Sequence, residues 1–185
     1  MWNRVTLDQS TPPRSTRCLR KRIWELPVAR IAAADPSSSL QVGGTTLDYG
    51  KCGGVLRGDD GYISIGERTS IQDNCVLHTT PIFPTVVGDE CVIGHLVHLE
   101  GCTIERLCLI GNASVLMHRV VVHTGSIVAA NATLLDGTVV PSGSLAVGSP
   151  ATIKEGKAKT EYIERGVQAY AHRARTYPSR LRRLD

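Results

Sequence analysis

The stretch of sequence that decides the fold is residues 104–140, IERLCLIGNASVLMHRVVVHTGSIVAANATLLDGTVV. An aliphatic residue occupies every sixth position: Ile104, Ile110, Leu116, Val122, Val128, Leu134 and Val140. A small or β-branched residue follows four positions after each of them: Cys108, Ser114, Val120, Ser126, Ala132, Thr138 and Ser144. A period of six matches neither an α-helix nor a simple alternating strand. It predicts a solenoid whose coils have three six-residue edges.

The same register continues upstream of residue 104. Two more sets of three aliphatic residues keep the spacing: Ile65, Ile71 and Leu77, then Val87, Ile93 and Leu99. Four extra residues separate Leu77 from Val87, and we place them in a loop around residues 81–84. With about 18 residues per coil, Leu77 should stack on Leu99, Ile71 on Ile93, and Ile65 on Val87. The predicted fold is all-β, a parallel β-helix with a C-terminal α-helix.

Composition divides the chain into three segments. Residues 1–40 lack the repeat, and through residue 30 they hold seven basic residues against two acidic ones. Residues 41–156 form the β-helix, with a glycine-rich and loosely periodic first coil. Residues 157–185 form a C-terminal helix and tail, with an apolar stripe at helical spacing from Lys159 to Tyr177. The basic arm could dock on a partner, direct mitochondrial import, or be a solvated tail.

Composition also excludes several classes of function. The net charge is +4 without a long basic run in the repeats, so nucleic-acid binding is not indicated. No apolar stretch approaches the length of a membrane span. The six cysteines form no CxxC pair and match no zinc ribbon. Cys75, Cys91 and Cys108 fall at small inward positions, so we expect buried thiols and a reducing compartment.

The register brings together two residues that could bind a metal. His78 follows Leu77 and Glu100 follows Leu99, so both lie on the third edge of adjacent coils. Neighbouring coils are spaced like parallel strands, about 4.8 Å apart. His95 lies on a different edge and could reach this point only across a subunit interface around a threefold axis. Two imidazoles and a carboxylate suit a catalytic zinc with an open position.

Several motifs together resemble the γ-class carbonic anhydrases. They are Leu56-Arg57-Gly58-Asp59, Ile71-Gln72-Asp73-Asn74, Val76-Leu77-His78, GHLVHLEGCTI at residues 94–104, and Val147-Gly148-Ser149-Pro150-Ala151. The resemblance covers about residues 50–177. It implies a left-handed parallel β-helix and a trimer with metal sites between subunits.

The resemblance also implies roles for individual residues. His78 and His95 match two of the three zinc-binding histidines, and the third falls at Glu100. Arg57 and Asp59 match an ion pair that bridges subunits beside the active site. The residues that would line the pocket and orient the zinc-bound water are Gln72 and Asp73. The acidic loop that some active members use has no counterpart in residues 79–86, which carry no acid.

Glu100 decides the functional prediction. Zinc held by three neutral histidines lowers the pKa of its bound water to about 7. A carboxylate ligand donates negative charge and weakens that effect, so we expect a degraded site and a subunit retained for assembly. The resemblance then implies a heterotrimer of sister chains on the membrane arm of mitochondrial respiratory complex I (NADH:ubiquinone oxidoreductase). The chain would lie on the matrix side of the inner membrane without spanning it.

Two alternatives stay open at this point. The first is an active carbonic anhydrase, cytoplasmic or mitochondrial, with zinc or iron at His78, His95 and Glu100. In that enzyme Gln72 would orient the water, and Arg57 would hold bicarbonate. The second is a hexapeptide acyltransferase with a histidine base, although neither its longer inserted loop nor its acyl-carrier groove is visible. The remaining histidines of the repeats are predicted to be surface groups: His98, His118 and His123.

Overall fold

The computed structural model describes residues 39–42, 54–58 and 61–180. The strands are β1 (Ser39–Val42), β2 (Val55–Arg57), β3 (Tyr62–Ile65), β4 (Ser70–Ile71), β5 (Val76–His78), β6 (Thr85–Val87), β7 (Val92–Ile93), β8 (His98–Glu100), β9 (Thr103–Ile104), β10 (Leu109–Ile110), β11 (Val115–Leu116), β12 (Val121–Val122), β13 (Ile127–Val128), β14 (Thr133–Leu134), β15 (Val139–Val140), β16 (Leu145–Val147) and β17 (Thr152–Lys154). One helix, α1, follows at Thr160–Arg180. Most of the predicted basic arm, residues 1–38, lies outside the described residues.

The strands form a parallel β-solenoid of about five turns, as the six-residue period predicts. The first sheet has the order β1-β3-β6-β9-β12-β15, and the second has the order β17-β16-β13-β10-β7-β4. The third sheet has the order β14-β11-β8-β5-β2. Strand β17 alone pairs in antiparallel fashion among the described strands, against β16. The predicted stacking is confirmed: Leu77 on Leu99, Ile71 on Ile93, and Ile65 on Val87.

The core is the stack of aliphatic side chains inside the three sheets. Leu77, Leu99 and Leu116 are fully buried, and so are the aliphatic residues at the sixth positions of the later coils. The predicted burial of Cys75, Cys91 and Cys108 at the corners is confirmed. These are free thiols in the described part of the chain. Ordered stacking of the coils therefore fixes the position of every outward side chain along each sheet.

Helix α1 packs on the outer face of the second sheet. Its prediction from Lys159 to Tyr177 is close to the observed Thr160–Arg180. Ile163 and Val167 are buried against Val92 of β7. The half-buried residues that complete this second cluster are Leu107, Leu109, Ile127 and Tyr170. Within the described residues, no helix combines the length and apolarity that a membrane span requires.

Candidate functional site

The third sheet carries a carboxylate surrounded by histidines. His78 of β5 and Glu100 of β8 are register partners, as the hexapeptide spacing predicts. Their facing atoms, His78 Nδ1 and Glu100 Oε1, are 3.3 Å apart. Both side chains point outward because Leu77 and Leu99, the residues before them, fill the core.

Two further histidines reach the same carboxylate. His98 Nε2 lies 2.9 Å from Glu100 Oε2, and His118 Nε2 lies 3.4 Å from Glu100 Oε1. The prediction that His98 and His118 are surface groups is therefore wrong, because their side chains are only 34% and 27% exposed. We call His78, His98, Glu100 and His118 the Glu100 cluster. The third of these predicted surface groups, His123, contacts a different carboxylate, with its Nδ1 2.9 Å from Glu105 Oε1.

The register contains the signal that could have identified the two histidines. His98 precedes Glu100 by two residues on β8, so both side chains lie on the same face of the sheet. Leu116 pairs with Leu99, which places Met117 beside Glu100 and His118 beside Gly101. Extending the stacking argument from one neighbouring coil to both would have predicted the whole cluster.

The cluster keeps the carboxylate charged. The hydrogen bond from His98 is the largest cause that lowers the pKa of Glu100, and the bond from His78 acts in the same direction. Partial burial opposes these bonds but does not cancel them. At neutral pH, Glu100 is therefore an anion whose two oxygens both face imidazole nitrogens of its own chain.

The loop between β5 and β6 folds over the Glu100 cluster. The rings of Phe83 and His118 are 5.6 Å apart between centroids, with an interplanar angle of 45°. Thr85 Oγ1 donates to the carbonyl of His78 and accepts from the amide of Gly101, at 2.9 Å in the second bond. A Cβ on Gly101 would lie 2.7 Å from Phe83 Cβ, so glycine permits this close approach.

His95 lies on the turn between β7 and β8, away from the third sheet. Its Nδ1 is 3.0 Å from Asp73 Oδ2, and its backbone amide donates to Asn112 Oδ1 at 3.0 Å. The side chain is 40% exposed, and the next residue, Leu96, is 59% exposed. A carboxylate that accepts from one ring nitrogen fixes the tautomer and leaves the other nitrogen able to bind a metal. Asp73 therefore orients His95 as a potential ligand.

Gln72 faces a cleft between helix α1 and the second sheet. The cleft has a volume of about 280 Å³, and its lining includes Gln72, His95, Asn112 and Tyr170. Gln72 is only 3% exposed. The structure thus places the predicted pocket residue Gln72 beside His95 and on a different side of the coil from the Glu100 cluster.

The predicted ion pair between Arg57 and Asp59 is described only in part. Arg57 ends β2 as an exposed residue and is the register partner of His78. Asp59 lies outside the described residues. Arg57 is thus on the same face and column as His78 and Glu100, where its charge borders the cluster.

The zinc set predicted from the sequence does not form within one chain. Across residues 54–58 and 61–173, no three or more His, Cys, Asp or Glu side chains are arranged to hold a metal ion. At the Glu100 cluster the donors do not fit a zinc ion, because imidazole nitrogens of the chain already engage both carboxylate oxygens. His95 with Asp73 does fit the role of a single ligand.

Comparison with known proteins gives consistent relatives. No family model matches the chain. It is 34% identical over 157 residues to the mitochondrial γ carbonic anhydrase 2 of Arabidopsis thaliana, covering 78% of this chain and 55% of that protein. It is 31% identical over 122 residues to a carbonic anhydrase of Geobacillus kaustophilus, covering 60% and 67%. The chain thus spans about half the length of that plant mitochondrial relative.

One solved structure extends the likeness to the whole solenoid. A hexapeptide transferase family protein from Anaplasma phagocytophilum superposes with a TM-score of 0.64 at 31% identity. The superposition covers 81% of this chain and 89% of that chain. This likeness agrees with the parallel solenoid and C-terminal helix described above.

Proposed function

The chain belongs to the γ-carbonic anhydrase family of hexapeptide-repeat proteins, and from this premise we propose that it is a subunit without a working metal site, retained for assembly. One observation carries the proposal. Glu100 stands where the family resemblance implies the third imidazole, and histidines of its own chain engage both of its oxygens.

The chemistry of this substitution opposes water activation. Three neutral imidazoles leave the full positive charge of a zinc ion to polarise a bound water. Glu100 is ionised, because its hydrogen bonds with histidines lower its pKa. A metal at this point would have to displace the contact between Glu100 and His98, and it would then keep less charge with which to acidify water. The site is therefore poorly suited to CO2 hydration.

We infer that the chain acts in a heterotrimer with sister γ-carbonic-anhydrase-like chains, on the matrix side of the mitochondrial inner membrane and attached to the membrane arm of respiratory complex I. Two observations support this placement. The chain is 34% identical over 157 residues to a mitochondrial γ carbonic anhydrase. The segment through residue 30 has the Arg-rich, acid-poor composition of mitochondrial targeting segments.

Separation of a gently solubilised native extract by size tests the proposed placement. Mass spectrometry would locate this chain among the fractions. We expect it to migrate with a very large membrane complex, alongside sister β-helix chains. The matched control is the same extract in a stronger detergent, which should release the smaller module with its sister chains. A free species near three times 19.9 kDa in the gentle extract would contradict the assembly role.

An active metal-dependent carbonic anhydrase is the second candidate function. The contact between Asp73 and His95 favours it, because such a carboxylate orients metal-binding histidines. Glu100→His restores the third imidazole, and it should raise both metal content and CO2 hydration above the wild-type values if the pocket is otherwise intact. Glu105→His is the matched control, since Glu105 also contacts a histidine but lies outside the site. If the wild-type chain already binds metal and hydrates CO2, this candidate replaces the first.

A further inference from the structure

The two halves of the inferred metal site are in opposite states in this chain. The Glu100 cluster is closed by contacts within the chain, whereas His95 is oriented and partly exposed. We propose that the chain is a one-sided ligand donor: its His95 completes a metal site on a neighbouring chain, while its own Glu100 cluster holds no metal. This inference rests on the proposed heterotrimer.

The closed half is held by residues of three successive coils. His78 approaches from the coil on one side of Glu100 and His118 from the coil on the other, while His98 shares its strand. Phe83 packs against the ring of His118 and thereby covers the cluster. Freeing the carboxylate for a metal would break the contact with His98 and disturb this packing. The contacts therefore favour a metal-free cluster.

The open half is fixed at two points before any partner binds. The backbone amide of His95 donates to Asn112, and the imidazole Nδ1 is held by Asp73. Preorganisation of this kind lowers the entropy that binding costs. Leu96, next in the chain, exposes 59% of its surface and gives His95 an apolar margin suited to a protein contact. In the described residues of this chain, no further ligands join His95 in a group that could hold a metal.

The chemistry of the missing ligands defines the partner. The partner must present two imidazoles on one edge of adjacent coils, at the positions that His78 and Glu100 occupy here. A sister chain with histidine at the position of Glu100 meets this requirement. If each metal site takes a pair from one chain and a single histidine from the next around a closed threefold ring, three chains make three sites. One copy of this chain in such a ring blocks one site and completes another, so we expect about two metal ions per heterotrimer.

Mixing two forms of the chain tests the proposal without the unidentified sister. The acceptor carries Glu100→His together with His95→Ala, so it has the pair but lacks the single ligand. The donor is the wild-type chain, which has the single ligand but lacks the pair. Each form should be metal-free alone. Refolded together in equal amounts with Zn2+, random threefold assembly forms a complete site at a quarter of the interfaces, or about 0.25 ions per chain.

The readouts are metal content after gel filtration and the composition of the oligomers by native mass spectrometry. A donor that carries His95→Ala is the matched control and should abolish the metal. A donor that carries Asp73→Asn should assemble normally and bind the metal about 10–100-fold more weakly, as expected for a residue that positions a ligand. Metal-free mixed oligomers, failure of the two forms to assemble, or metal that persists with the control donor would overturn the proposal. None of these outcomes bears on migration with complex I, so the two proposals fail separately.

Discussion

Replacing Glu100 by glutamine isolates the charge of the Glu100 cluster while keeping its shape. The 2.9 Å contact with His98 is an ordinary hydrogen bond to an ionised acceptor, worth about 1.5–3 kcal/mol. We take the lower end, about 1.5 kcal/mol, because the Glu100 side chain is 22% exposed. The contacts with His78 and His118, at 3.3 and 3.4 Å, are long and add about 0.5 kcal/mol together.

Glu100→Gln should therefore lower the free energy of unfolding by about 2 kcal/mol, or the melting temperature by about 4–8 °C. Urea unfolding at pH 7, followed by far-UV circular dichroism, measures the difference; a fixed-rate thermal scan replaces it if unfolding is irreversible. Asp136→Asn is the matched control, because Asp136 pairs with Arg119 at the surface, where such pairs are worth about 0–1 kcal/mol. A variant as stable as the wild type, or a control that loses as much, would refute the central role of Glu100.

Three other predictions follow from the described contacts. The pKa values of Glu90, Glu100 and Glu105 are lowered in the folded chain, by Arg68 first for Glu90, by His98 for Glu100 and by the Thr124 amide for Glu105. Their stabilisation is therefore complete above the unfolded pKa of about 4.3 and is lost as the pH falls through the lowered folded values. A melting temperature that stays constant below about pH 4 would contradict this. Leu99→Ala removes a fully buried core side chain and should cost about 2–5 kcal/mol by urea unfolding, whereas a loss below about 1 kcal/mol would mean that the coil collapses around the gap. Ile163→Ala should cost about 2–4 kcal/mol and should expose α1 to limited proteolysis, because Ile163 is fully buried in the cluster that joins the helix to Val92; unchanged proteolysis would show that the helix is held by other contacts.

The hexapeptide register was sufficient to predict the solenoid and the contact at its edge. Each coil repeats the same three edges, so one aligned pair, Leu77 and Leu99, fixes the neighbours of every later residue. His78 and Glu100 come directly after these two leucines, and parallel stacking brings their side chains together. The prediction succeeded because outward positions in a solenoid depend on local spacing rather than on distant packing.

The same register was not used far enough to predict the rest of the Glu100 cluster. His98 was judged by its polarity instead of by its place two residues before Glu100, and His118 by its distance in sequence instead of by its coil. The covering loop is a different case. Residues 79–84 depart from the repeat, so periodicity gives no position for Phe83, whose contact with His118 depends on loop hydrogen bonds and on Gly101.

The orientation of His95 also lay beyond sequence reasoning. The spacing predicts that His95 lies two residues past Ile93 and that Asp73 lies two past Ile71, so the two should be neighbours. Spacing alone does not determine which ring nitrogen faces the carboxylate. The 3.0 Å distance from Nδ1 to Asp73 makes the second nitrogen the one available to a metal.

Metal content of the purified wild-type chain tests the central claim most directly. The chain would be dialysed against a chelator, reloaded with Zn2+, passed through gel filtration and analysed by mass spectrometry for bound metal. The account predicts a metal content no higher than that of the His78→Ala variant, because Glu100 is held by His78, His98 and His118. About one tightly held ion per chain, lost in His78→Ala and in His95→Ala, would contradict the account and identify a working metal site.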